Sequence, residues 1–336
     1  MPPQDLEKRL AHLSSLRAAV EDQVAKRIIG QGAAVRGVLA AVLARGHTLL
    51  VGVPGLAKTM LARTVAEALE LSFRRVQFTP DLMPSDVTGT NVIQEREDGR
   101  RAFEFSPGPL FANVVLADEI NRAPPKTQAA LLEAMQERQV TSGQVSHALP
   151  DPFLVLATQN PIEQEGTYEL PEAQLDRFLL ALYLDYPTLG EEEEIYAAGA
   201  ALEEAPVDRV VTRKDLLEAQ TLVRELPVSN YLVSYAARLV RATRPQDELA
   251  PPFVREMVDW GVGPRGGQYL LLVARAFAGL DGRAAVGTGD LKEAFAPALR
   301  HRLGLNFQAQ AEGLDEAAIL ARVLETVPEP RLPKYA

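Results

Sequence analysis

The sequence predicts an α/β core, with a largely parallel sheet flanked by helices, followed by an all-helical second domain. Three observations carry this. Apolar runs of strand length, at residues 47–51, 114–117 and 153–157, alternate with segments of helical periodicity. A glycine-bearing turn follows the first run directly, and a helical pattern follows that turn. Beyond Asp185-Tyr186-Pro187 the strand pattern stops and only helical segments recur.

Leu6, Leu10, Leu13, Leu16, Val20 and Val24 recur at steps of three and four, the period of an amphipathic helix. A turn at Ile28-Ile29-Gly30-Gln31 precedes a second helix over 35–43, and the run 47–51 is apolar enough for a buried strand. Helical spacing resumes over 58–69. Two polar segments, 91–105 turning at Asp98-Gly99 and 139–149 turning at Gly143, read as hairpins that project from the core. Thr188 with Glu191 forms a capping box, and Glu192, Glu193 and Glu194 suit the positive end of the helix it opens. Further helices are expected over 213–224, 230–243, 267–279, 290–299 and 316–327. The division is therefore a core at 1–186 and a helical domain at 187–336, with the tail from 328 loose on the surface.

The chain has 336 residues, 47% hydrophobic and 24% charged, enough apolar material for a core and a length that fits two domains. A net charge of −10 argues against a broad grip on nucleic acid, which needs clustered Lys and Arg. The absence of cysteine removes disulfides, thiol catalysis and thiolate zinc sites. Residues 1–10 lack the basic and then apolar order of an export signal, and runs such as 37–44 fall short of the ~18 residues of a membrane span. A cytoplasmic protein without a transmembrane segment is expected.

Gly52, Val53, Pro54, Gly55, Leu56, Ala57, Lys58 and Thr59, with Met60 beside them, lie between a strand and a helix. In that layout backbone N–H groups and a helix N-terminus converge on phosphate. Lys58 is expected at the β- and γ-phosphates and the Thr59 hydroxyl at Mg²⁺. Ala57 stands where a glycine is usual, which restricts positive φ but keeps the N–H. The apolar run 114–117 ends in Asp118-Glu119, sixty residues after the lysine. A strand-end Asp can hold Mg²⁺ and the next Glu can polarise an attacking water, or the pair can cap the following helix. The run 153–157 ends in Thr158-Gln159-Asn160, where Asn160 can orient a water beside the γ-phosphate or make a turn before Pro161. Arg177 and Arg265 are candidate cations for charge developing on a transferring phosphoryl group.

In order, these residues match the first phosphate loop (Walker A), Walker B, first sensor, arginine finger and second sensor of AAA+ ATPases. The residues over 52–59, Asp-Glu-Ile-Asn-Arg-Ala at 118–123, Ala-Thr-Gln-Asn-Pro-Ile-Glu-Gln-Glu-Gly-Thr-Tyr at 157–168 and Leu-Pro-Glu-Ala-Gln-Leu-Asp-Arg-Phe at 170–178 resemble the MoxR family specifically. The resemblance runs from about Ile28 onward. It implies an ATPase using ATP and Mg²⁺, a P-loop core with a helical lid, and a hexameric ring of like subunits with nucleotide held between them. Glu119, Asn160, Arg177 and Arg265 would be the catalytic residues, and Arg177 would act on a neighbour's ATP. Arg265 would serve either its own subunit or the next. Ile29, Gly30 and Gln31 resemble the segment beside adenine, though they also suit a plain turn. The hairpins would be the helix-two insert and the hairpin before the first sensor, which face a pore or a protein client in related machines. Arg96, Arg100 and Arg101 interleave with Glu95, Glu97, Asp98 and Glu104, the pattern of a solvated charged face.

The resemblance implies an enzyme that remodels, matures or inserts metal into client proteins, with a separate von Willebrand factor A-domain partner. A DNA-associated motor and a magnesium-chelatase-like subunit share the insert and are the alternatives, and a nucleotide-gated assembly module is a third. No Asn-Lys-x-Asp stretch is present for guanine recognition.

Overall fold

The computed structural model describes residues 3–95, 101–162, 166–199 and 201–329. The turn expected at Asp98-Gly99, Arg96, Arg100 and the tail from 330 lie outside these residues.

Helix α1 (Pro3–Ala25) leads through the Ile28 turn to α2 (Gly32–Ala44), β1 (Thr48–Val51) and α3 (Lys58–Ala68). There follow β2 (Phe73–Gln77), the short α4 (Pro84–Thr88), the hairpin β3 (Gly89–Glu95) and β4 (Arg101–Pro107), and β5 (Val114–Asp118). Then come α5 (Pro125–Glu137), the hairpin β6 (Gln139–Ser142) and β7 (Val145–Ala148), β8 (Leu154–Gln159), a short α6 (Glu172–Leu175) and β9 (Leu180–Tyr183). β2, β5, β8, β1 and β9 form, in that order, one sheet whose pairs are all parallel.

Alternation along the central strands explains why they read as continuous apolar runs. Leu50, Leu116, Leu154 and Leu156 face one core with α2 and α3, while Leu49, Val51, Val115, Ala117, Val155 and Ala157 face another with α5. A sheet buried on both sides needs apolar residues at every position. The edge strands β2 and β9 escaped the sequence reading. β2 buries only Val76 fully, so Phe73-Arg74-Arg75-Val76-Gln77 carries no apolar run.

Both hairpins form. In the first, Ile93 and Phe103 oppose each other and are 62% and 76% exposed. They do not project independently, since Phe105 of β4 stacks on His147 of β7 with ring centres 3.9 Å apart.

The remainder comprises α7 (Leu189–Ala198), α8 (Ala201–Glu204), α9 (Arg213–Glu225), α10 (Asn230–Ala242), α11 (Pro252–Met257), α12 (Pro264–Leu280), α13 (Thr288–Leu299), α14 (Phe307–Ala311) and α15 (Glu316–Thr326). The Thr188 capping box is present: Thr188 Oγ1 accepts from Glu191 N, and Thr188 N donates to the Glu191 carboxylate at 2.7 Å. One feature departs from an all-helical lid. β10 (Val258–Trp260) pairs antiparallel with β11 (Gly304–Leu305), and the Trp260 ring lies so close over Gly304 that a Cβ would clash.

Candidate functional site

β1 ends at Val51 and α3 begins at Lys58, so the intervening loop leads into the open end of a helix, where the first N–H groups lack partners inside the helix. Gly52 passes within reach of the Leu184 carbonyl, where a Cβ would stand at 3.0 Å. Gly55 adopts φ +89° and Ala57 φ 55°, ψ 23°. Ala57 thus takes the left-handed turn that a glycine would take more cheaply, while its carbonyl accepts the Leu61 N–H at 2.8 Å. Lys58 Nζ donates to the Gly52 carbonyl and, at 3.3 Å, to that of Val53, which holds the ammonium over the loop.

Two strands along, Asp118 ends β5 and is 8% exposed. Thr158 of the adjacent β8 donates to Asp118 Oδ1 at 2.6 Å, and Arg75 of β2 donates through Nε to Oδ2 at 2.9 Å. Glu119 leaves the strand at φ 55° and donates its N–H to the same Thr158 hydroxyl at 2.8 Å. Its Oε2 accepts from Gln77 Nε2 at 2.7 Å and from Arg122 Nη1 at 2.8 Å. Asn160 is buried, and its Oδ1 accepts from Ile162 N at 3.2 Å, so it makes the turn while standing at the site.

An open cleft of about 710 Å³ joins these groups, a size typical of small-molecule sites. Pro54, Gly55, Leu56, Ala57, Lys58, Thr59, Met60, Asp118, Glu119 and Asn160 line it. Gly52 and Val53 shape the loop from behind. Ile28 and Ile29 face Ile195, Gly199 and Leu202 of the α7–α8 region across an apolar end, and Arg27, Arg63 and Arg75 add cations. Gly30 and Gln31 do not line the cleft: Gly30 packs under Glu191, and Gln31 Nε2 donates to the Asp185 carbonyl at 2.8 Å. Of the three residues expected beside adenine, only Ile29 lines the cleft, with Ile28 next to it. Ile195, Leu202, Thr158, Arg75 and Gln77 were missed. Only Thr158 lay within a quoted motif, and the others depend on strand register or on lid packing.

Thr59 and the buried Asp118 carboxylate present oxygen donors to one cleft, the chemistry a hard cation takes. Among the described residues no group of three or more acidic, His or Cys side chains could hold a metal alone.

Arg177 and Arg265 are absent from this lining. Arg177 follows α6, and Arg265 opens α12. The structure brings them to one place through Asp176, whose Oδ2 accepts from Arg265 Nη1 at 3.0 Å.

Residues 47–180 match the family model described as "ATPase family associated with various cellular activities (AAA)", and residues 253–323 match the AAA lid domain. The chain is 42% identical to Chaperone MoxR1 of Mycobacterium tuberculosis, over 98% of this chain and 86% of that protein. It is 32% identical to Protein MoxR of Methylorubrum extorquens, over 93% and 95% of the two chains. A crystal structure from Cytophaga hutchinsonii, assigned as an ATPase, superposes with a TM-score of 0.89 at 39% identity, covering 98% of this chain and 99% of the other.

Proposed function

Because the chain belongs to the MoxR family of AAA+ ATPases, we propose that it hydrolyses Mg²⁺·ATP at the interfaces of a ring of like subunits and uses the cycle to remodel client proteins. The observation that carries this reading is a division of labour. The loop, Asp118, Glu119 and Asn160 share one cleft, whereas Arg177 and Arg265 stand together outside it. A neighbouring subunit that presents its arginine pair to this cleft completes the site, so both arginines act in trans.

Within the cleft, the loop amides and Lys58 hold the β- and γ-phosphates while the apolar end takes the base. Thr59 and Asp118 would hold Mg²⁺, which neutralises charge developing on the phosphoryl oxygens. Thr158 fixes the Asp118 carboxylate, and Arg75 partners its other oxygen. Glu119 polarises the attacking water once its carboxylate is released from Gln77 or Arg122, and Asn160 orients that water.

The client reading draws on the name Chaperone MoxR1 and on the exposed Ile93–Phe103 pair of the insert hairpin. Such an apolar pair on a protruding element suits contact with unfolded or loosely packed protein. Metal or cofactor insertion with a separate A-domain partner is the specific form we favour, and the cytoplasm is the compartment we assign. No helix among the described residues is long and apolar enough to cross a membrane.

Arg177→Ala and Arg265→Ala should each leave nucleotide affinity nearly unchanged, since neither lines the cleft. For Arg177→Ala, kcat should fall by on the order of 10³-fold or more, the effect of removing a transition-state arginine. Steady-state phosphate release with ADP titration measures both quantities. A full kcat in either variant would remove that arginine from the mechanism.

A further inference from the structure

Arg302 closes a single helical turn after α13, and its side chain is only 2% exposed. It bonds the residues on both sides of Arg177. Nε donates to Asp176 Oδ1 at 2.8 Å, and Nη2 donates to the carbonyls of Asp176 at 2.9 Å and Phe178 at 2.5 Å. Nη1 donates to the Ala298 carbonyl at the end of α13 and faces His301 Nε2. Burial, reinforced by the Arg302 charge, holds His301 well below its ordinary pKa. The same Nε2 lies 3.1 Å from the Phe178 carbonyl. Four guanidinium hydrogens thus have an oxygen acceptor.

The surroundings are shaped to this side chain. Gly266, next to Arg265, leaves room where a Cβ would meet Arg302 Cδ at 3.0 Å, and the Tyr269 ring lies 5.0 Å from the guanidinium carbon. Withdrawing a guanidinium from water is costly, and an apolar side chain would fill the space without that cost. What an apolar side chain lacks is a planar fork able to fix several acceptors at once. The Asp176 carboxylate is shared, with one oxygen bonded to Arg302 and the other to Arg265.

We propose that Arg302 is a positioning residue for the intersubunit ATPase site: from the lid it fixes the peptide carrying Arg177 and, through Asp176, the side chain of Arg265. This rests on the reading that the arginine pair acts on a neighbour's phosphate. The pair is then presented as one unit whose placement follows the lid.

The test uses the full chain with Arg302→Met, Arg302→Lys, Arg177→Ala and the double variant Arg302→Met/Arg177→Ala. Arg302→Met should lower kcat about 10²-fold, the effect of displacing a reacting group by about 1 Å, with ADP affinity unchanged. Arg302→Lys keeps a charge and some donors but not the fork, and should fall between Met and wild type. The double variant should lose less than the product of the two single losses, because part of the effect of Arg302 passes through Arg177 and only the part through Arg265 remains to be lost. An additive loss, or full kcat in a folded Arg302 variant, overturns the inference. If the Met variant does not fold, Arg302→Lys with Arg177→Ala gives the same comparison. Full turnover in Arg177→Ala would instead defeat the underlying reading. Lost turnover there with unimpaired Arg302 variants would defeat this inference alone.

Discussion

Glu119 shows how much a residue's setting adds to its identity. The sequence marks it as one of two carboxylates behind an apolar strand, a pattern that a helix cap would share. The structure gives it a left-handed backbone and a carboxylate gripped by Gln77 and Arg122, which a plain cap does not require. Glu119→Gln should bind ATP as tightly as wild type and lose about 10²–10⁴-fold in turnover, the usual contribution of a general base. Nucleotide titration and phosphate release check this, and unchanged release would exclude Glu119 as the base. The same variant, holding ATP, offers a way to capture clients. Lys58, Thr59, Asp118 and Asn160 were legible because strand-end and loop positions declare themselves locally. Gln77 and Arg75 were not, because their closeness to Glu119 and Asp118 arises from the β2–β5 pairing, in which Gln77 lies opposite Asp118.

At the scale of elements, the three central strands could be read from the sequence, whereas the edge strands β2 and β9 and the β10–β11 pair could not. β2 and β10 each bury only one residue fully and so leave no apolar run. One element makes a prediction about pH. His47, just before β1, accepts the Val155 N–H at Nδ1 (2.9 Å) and lies 3.1 Å from the Met135 carbonyl at Nε2, so the ring is neutral with its proton on Nε2. Protonating Nδ1 would break the bond to β8. Burial lowers the pKa to about 4, from an ordinary value of 6.5. Between those values the unfolded chain binds the extra proton, so this contribution is present above about pH 6.5 and is lost as pH falls toward 4. It amounts to at most about 3 kcal/mol. Urea midpoints should therefore fall between pH 6.5 and 5, where most carboxylates remain ionised, and the slope should be shallower in His47→Gln. A flat profile in the wild type would contradict the assignment.

Across the whole molecule, we propose residues 1–186 and 187–336 as the two units, with α1 as a strap between them. Leu13 packs against Gly279 of α12, and Ser14 lies beside Gly282, so the first helix is seated on the lid. Arg17 of α1 and Arg36 of α2 both bond Asp281 just past α12, and the Arg36 bond, with that of Arg283, holds the carboxyl at about pKa 2. The lid is thus tied to the first two helices as well as to the arginine segment through Arg302. The proposed two-unit plan follows sequence order, but the placement of the lid depends on side chains distant along the chain. Arg177 and Arg265 do not line the cleft of their own phosphate loop, which is the basis for proposing that they serve a neighbour. The decisive measurement mixes two inactive proteins, Lys58→Ala, which keeps the arginines, and Arg177→Ala, which keeps the phosphate loop. The account predicts that phosphate release, near background for each alone, rises on mixing as interfaces form that pair an intact loop with an intact arginine. Release that stays at background at every mixing ratio, in rings shown to contain both proteins, would contradict it.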